Sequence, residues 1–148
     1  MGANCDETDD AARQTAQEMY TRDCASQHLG IELLEVRAGY ARMRMTVVPW
    51  MVQGLGVCHG GLLFTLADTA MAFASNSRGE VHLSTGGSVE FLRPAREGQV
   101  LTAEATELQR TRRTAVYDVS VRTEDGKAVC HFRGRTLGAG PARGTESG

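Results

Sequence analysis

The stretch Val57-Cys58-His59-Gly60-Gly61-Leu62-Leu63-Phe64-Thr65-Leu66-Ala67-Asp68-Thr69-Ala70-Met71-Ala72-Phe73-Ala74 constrains this chain more than any other. Two glycines open it, and an apolar run of about four helical turns follows. A helix apolar on nearly all sides belongs inside a core. One carboxylate, Asp68, sits in its middle, where an uncompensated charge costs roughly several kcal/mol. Two readings stand side by side. Asp68 is a structural group bonded to Thr65 or another hydroxyl, or it faces a cleft as a general base or nucleophile.

The flanking segments say what the helix is buried against. Residues 1–8 are polar and acidic and read as a flexible lead-in, and 9–27 read as a helix with Ala12, Ala16, Met19 and Tyr20 on one side. Residues 31–37 form a short strand. Ala41, Met43, Met45 and Val47 then alternate with Arg42, Arg44 and Thr46, the period of a strand with one wet face. After a loop over 49–58 and the apolar helix, four more strands are expected near 81–93, 99–109, 114–123 and 127–137. The first of these is broken by Gly86-Gly87, and Glu124-Asp125-Gly126 supplies a hairpin turn. Residues 138–148 read as a flexible tail. Short turns between strands imply an antiparallel sheet, since parallel strands need long crossovers. The expectation is one α+β domain over 9–137, a sheet wrapped on a single long helix.

Bulk properties exclude several function classes. A net charge of −2 gives no electrostatic footprint for nucleic acid. The apolar run is too short to span a bilayer, and the first residues lack the basic and apolar regions of a signal peptide. Cys5, Cys24, Cys58 and Cys130 are scattered, which suits reduced thiols and a cytoplasmic location. His28, His59, His82 and His131 are scattered too, so no metal site is expected.

Chemistry concentrates at the start of the apolar helix. Its first N–H groups lack intrahelical acceptors and carry partial positive charge. Glycines at positions 60 and 61 leave that backbone open to a ligand, such as a carbonyl oxygen gaining charge, although helix-opening glycines also serve packing. His59 is either part of this site or a histidine satisfied by backbone contacts. Gly60 and Asp68 are eight residues apart, about 12 Å along a helix. Tilt of the side chain recovers only a few Å. Asp68 therefore cannot attack a carbonyl held at Gly60 of the same helix. If both serve one reaction, an isologous dimer shares the site.

With His59-Gly60-Gly61, Leu66-Ala67-Asp68-Thr69-Ala70 and Asn76-Ser77 in this order, the chain resembles the hotdog-fold thioesterases. It is most similar to the PaaI type, the phenylacetate-pathway acyl-CoA thioesterases. Met19-Tyr20, Leu29-Gly30-Ile31, Phe91-Leu92-Arg93-Pro94, Val116-Tyr117-Asp118-Val119 and Phe132-Arg133-Gly134 extend the likeness over roughly residues 12–137. The resemblance implies that the Gly60 N–H polarises a thioester carbonyl, with Gly61 beside it, and that Asp68 of the neighbouring subunit attacks it or activates water. It implies that His59 and Gln53 orient the carbonyl and the loop, although many relatives carry Asn where this chain has Gln53. A hydroxyl after the helix, Ser84 or Thr85, positions the attacking water in some relatives.

Arg93, Arg96, Arg110, Arg112 and Arg113 are candidates for the coenzyme A phosphates, with a solvated rim as the plain alternative. Trp50, Met51 and Phe64 are candidates for an acyl pocket or for the core. The expected activity is hydrolysis of aryl-acetyl-CoA thioesters, phenylacetyl-CoA and its hydroxylated forms, without metal or organic cofactor. The expected assembly is a homodimer, extended to a homotetramer as a dimer of dimers. Alternatives are a medium- or long-chain acyl-CoA thioesterase, a hotdog dehydratase or hydratase, and a non-catalytic acyl-CoA-binding protein. The spacing from His59 to Asp68 fits a dehydratase poorly, and a sensor would need an output domain for which the chain has no room.

Overall fold

The computed structural model describes residues 3–141, with side chains described over 7–140. Helix α1 (Ala3–Arg22) and a short α2 (Cys24–His28) precede β1 (Glu32–Arg37) and β2 (Tyr40–Thr46). Helix α3 (Gly60–Ser75) follows, then β3 (Glu80–Phe91), β4 (Val100–Arg110), β5 (Thr114–Thr123) and β6 (Ala128–Pro141). The strands make one antiparallel sheet in the order β1-β2-β4-β5-β6-β3, with α3 packed across it. This is the hotdog arrangement that the resemblance implies. Among the described residues, no helix is long and apolar enough to cross a membrane.

The alternation read in the sequence is what closes the core. Ala41, Met43, Met45 and Val47 are buried, as are Leu101, Ala103 and Ala105 on the neighbouring strand. From α3, Leu63, Leu66, Ala67, Ala70, Met71, Phe73 and Ala74 are buried against them. Small residues at facing positions bring the helix axis close to the sheet, so dispersion contacts are dense. Gly134 of β6 marks the tightest approach. A Cβ there would meet Phe132 Cε1 at 2.5 Å and Met71 Cε at 2.8 Å, with Met71 Sδ nearer still.

Several expectations need correction. The lead-in over 1–8 is helical from Ala3, while Met1 and Gly2 lie outside the described residues. The single helix over 9–27 is two, because Asp23 leaves the helix and caps α2, accepting from the Ser26 N–H at 2.9 Å and the Ser26 hydroxyl at 2.6 Å. The tail over 138–148 belongs to β6 as far as Pro141, where Glu80 pairs with it, and 142–148 lie outside the described residues. Gly86-Gly87 does not break β3. The strand instead carries a bulge between Ser84 and Gly86, which absorbs Thr85 as an extra residue against β6.

Beyond the C-terminal end of α3, the chain is held by polar side chains. The Asn76 amide donates to the Ala72 and His82 carbonyls and accepts from the His82 N–H, at 2.9, 3.0 and 3.0 Å. His82 itself is buried. The Arg110 guanidinium only donates, so His82 Nε2 accepts from it at 3.1 Å and Nδ1 donates to Thr136 Oγ1 at 3.0 Å. Glu80 accepts from Arg110 at 2.7 Å, and Glu107 approaches the same guanidinium at 3.8 Å. Burial first, and the Arg110 charge second, hold the His82 imidazole below its ordinary value, against the opposing pull of Glu80 and Glu107.

A histidine kept neutral in the fold has a depressed folded pKa. Its stabilising share is complete above the unfolded value, about 6.5, and is lost as pH falls through the folded one. Thermal melts from pH 8 to pH 5 are expected to show Tm declining below about pH 6.5, and His82→Gln is expected to flatten that decline. An equally steep decline in the variant would remove His82 as its cause.

Candidate active site

The loop before α3 delivers that helix's first turn to a cavity. A bridge between Val52 and Cys58, with the Gln53 N–H donating to Val57 O at 2.8 Å, folds residues 53–57 into a tight excursion. Gly56 takes φ +82°, where a side chain would strain the backbone, and the Gln53 side-chain carbonyl accepts from the Leu55 N–H. The His59 and Cys58 N–H groups then donate to Met51 O at 2.8 Å and Ala95 O at 2.7 Å, fixing where the helix starts.

His59 is the N-cap. Its Nδ1 accepts from the Gly61 N–H at 2.9 Å, and its carbonyl accepts from Leu62 and Leu63 at 3.0 and 3.4 Å. Every N–H of the first turn thus has an acceptor except one. Among the described residues nothing accepts from the Gly60 N–H, which lies at the positive end of α3. Gly60 borders a cavity of about 410 Å³ lined by Gln53, Leu63, Phe91, Arg93 and neighbouring apolar side chains. Arg93 donates to Ala128 O at 3.3 Å.

Asp68 lies on the solvent-facing stripe of α3 with Gly61 and Thr65, half-buried. Thr65 does not bond it, since the Thr65 hydroxyl donates to Gly61 O at 2.8 Å. Ser84 of the neighbouring β3 does, its hydroxyl donating to Asp68 Oδ1 at 2.8 Å. The bulge explains which hydroxyl reaches the helix. Ser84 keeps the inward phase, while the Thr85 hydroxyl donates to Arg135 O at 3.3 Å and faces away.

So the structure brings Gly60, Gln53 and Arg93 to one cavity and Asp68 with Ser84 to a second place about 12 Å along the same helix. His59 and Gly61 close on one another at the cap. Thr85 joins neither group. Trp50 is 58% exposed beside His28, Met51 is buried in the core, and Phe64 meets Phe132 edge-on at 5.1 Å, so none of the three lines the cavity. Arg110 leaves the phosphate candidates for the His82 cluster. Arg112 and Arg113 border a separate, more polar cavity of about 640 Å³ with Glu80 and Gly138.

Two features of the cavity escape sequence reasoning. Phe91 lies against Gly60, and Cys58 stands in the wall. Only the spatial approach of the end of β3 to the start of α3 reveals the first, and Cys58, two residues before Gly60, carries no pattern that marks it as lining. Burial pushes the Cys58 thiol up, and burial with the neighbouring Cys58 pushes Cys130 to about 11. Both stay protonated near neutrality, which disfavours Cys58 as a nucleophile. Among the described residues, no three His, Cys, Asp or Glu side chains gather into a metal-binding group.

The family model described as Thioesterase superfamily matches residues 55–130, from the loop before α3 to β6. Acyl-coenzyme A thioesterase PaaI of Escherichia coli is 40% identical over 125 residues, which are 84% of this chain and 89% of that protein. The structure of the E. coli PaaI protein from the phenylacetic acid degradation operon superposes with a TM-score of 0.90 at 38% identity, covering 91% of this chain and 98% of that one. A hypothetical thioesterase from Streptococcus pneumoniae, solved with coenzyme A, superposes with a TM-score of 0.73 at 27% identity, over 75% of this chain and 90% of that one.

Proposed function

Since the chain belongs to the thioesterase superfamily and is a thioester hydrolase, we propose that it cleaves aryl-acetyl-CoA thioesters of the phenylacetyl-CoA class to the free acid and CoA. Likeness to E. coli PaaI over most of both chains supports the substrate class, and the S. pneumoniae relative solved with coenzyme A supports the CoA part. The observation that carries the chemistry is the free Gly60 N–H at the positive end of α3, beside a cavity. A thioester oxygen hydrogen-bonded there gains stabilisation as the carbonyl carbon becomes tetrahedral.

Asp68 of the partner subunit supplies the second half, either attacking the carbonyl carbon or taking a proton from the water that does. Collapse of the tetrahedral carbon breaks the C–S bond. The CoA thiolate leaves and takes up a proton. Where Asp68 attacks, the acyl group stays on its carboxylate as an anhydride that water then splits into free acid and restored Asp68. Where Asp68 takes a proton, the acyl carbon keeps the oxygen of the attacking water. Ser84, hydrogen-bonded to Asp68, holds one carboxylate oxygen and leaves the other free to act. His59 and Gly61 hold the helix start in shape, and Gln53 and Arg93 flank the bound thioester.

The shared site needs a second copy, and the sheet edge supports one. Strand β3 is paired on one side only, so its other edge lies open beside the solvent-facing stripe of α3. A two-fold axis there would set two α3 helices antiparallel and offer each Gly60 the other chain's Asp68. The proposal includes a homodimer of this kind, its pairing into a homotetramer, and a cytoplasmic location.

A substrate panel followed by release of free CoA tests the reading. Phenylacetyl-CoA is expected to exceed benzoyl-CoA and palmitoyl-CoA in kcat/KM by about tenfold or more. Preference for palmitoyl-CoA would replace the aryl-acetyl reading with a long-chain one. Binding without turnover of any acyl-CoA would overturn the hydrolytic assignment.

A further inference from the structure

The place where a side chain would stand on Gly60 is already filled. A Cβ there would lie 2.9 Å from Phe91 Cζ and 3.3 Å from both Cε atoms. Phe91 is the last residue of β3, and its ring borders the same cavity as Gln53 and Leu63. Yet it is 54% exposed. Core packing does not account for an aromatic ring left so open. An acyl group in the cavity beside it would take water from the ring. The ring therefore walls one side of the free N–H.

We propose that Phe91 is a specificity-determining residue that limits substitution at the acyl carbon next to the thioester carbonyl. The site accepts an α-CH2 and turns away α-branched acyl groups. This rests on the thioester site at Gly60 given above and narrows its substrate. A carbonyl oxygen about 2.9 Å from the Gly60 nitrogen sets the carbonyl carbon and its two substituents beside the ring. One substituent is sulfur, leading to the rest of CoA, and the other is the α-carbon. A methylene presents hydrogens to the ring, whereas a branched carbon pushes a methyl group into the space the ring holds. The ring's outer side is solvent, so it yields at a cost and the limit is graded. A misplaced methyl group in an apolar pocket is worth about 10- to 200-fold.

Two pairs of thioesters test this by CoA release: butyryl-CoA against isobutyryl-CoA, and phenylacetyl-CoA against 2-phenylpropionyl-CoA. The wild-type protein is expected to favour the unbranched member of each pair by about tenfold or more in kcat/KM. Phe91→Ala is expected to erase most of that preference, with Phe91→Leu between the two. A second arm uses Gly60→Ala, whose methyl group competes with the ring. Its loss of activity is expected to be smaller in a Phe91→Ala background than in the wild type.

No preference in the wild type, or an unchanged preference in a folded Phe91→Ala protein, overturns the proposal. If Phe91→Ala does not fold, Phe91→Leu carries the same comparison and decides it. The aliphatic pair contains no aryl group. Poor turnover of phenylacetyl-CoA alone therefore counts against the aryl-acetyl reading, while the branched-to-linear ratio still measures Phe91.

Discussion

Replacing Asp68 by alanine is expected to lower kcat by more than about 100-fold while leaving the melting temperature nearly unchanged. Both halves of that expectation come from the same geometry. The carboxylate is half-buried on the open stripe of α3, and among the described residues its hydrogen-bond partner is the Ser84 hydroxyl, with no cation beside it. Removing it breaks one modest hydrogen bond at a partly wet position, so little stability is at stake. If Asp68 is the attacking or proton-accepting group, nothing nearby replaces it.

Asp68→Asn keeps a partner for Ser84 without a basic oxygen and is expected to lose as much activity as the alanine variant. CoA release and thermal melts measure the two effects, and near wild-type hydrolysis by Asp68→Ala would end the catalytic assignment. The same variant tests the sharing of the site. Mixed with a Gly60→Val chain, whose side chain meets Phe91, it forms hybrid dimers in which one of the two sites keeps both groups. Activity is expected to return partway in that mixture. Hybrid dimers that form and stay dead would show that Gly60 and Asp68 do not meet across an interface.

The second large effect is on folding. Gly134→Ala is expected to destabilise the protein by about 2–3 kcal/mol, a Tm decrease of roughly 5–10 °C in thermal melts. The new methyl group would press on Met71 and Phe132, which are 0% and 1% exposed and have no solvent into which to retreat. Gly60 meets a crowded neighbour too, but Phe91 is half in water and swings aside. The tighter crowding at Gly134, against buried neighbours, predicts a folding defect there, and the looser crowding at Gly60, against a half-exposed ring, an activity defect. In the Gly134→Ala background, Met71→Ala is expected to cost less than it does alone, because it vacates the space the new methyl group needs. Full additivity would show that the strain lies elsewhere.

Much of the fold was legible because period and burial coincide. Met43 and Met45, and Ala103 and Ala105, alternate with polar residues and turn out to be buried. Asp125-Gly126 marks the last hairpin, with the Gly126 N–H donating to Thr123 O at 2.9 Å. What escaped was structure without an apolar signature. The start of α1 is acidic, the break at Asp23 is one polar residue among many, and the end of β6 is glycine and alanine held by pairing with β3.

The site divides along the same line. Gly60 and Asp68 share one helix, so their separation could be counted. The choice between Ser84 and Thr85 depended on a bulge, and the ring over Gly60 depended on two distant elements meeting.

That bulge has an arithmetic consequence. Ser84 and Phe91 are seven positions apart, an odd number, and a regular strand sends residues an odd number apart to opposite sides of its sheet. Here both look toward α3, one at the carboxylate and the other at the first glycine. The surplus residue inverts the parity of β3 midway, so a single strand serves both the start and the middle of the helix. Position 85 contributes through being counted, whatever side chain it carries.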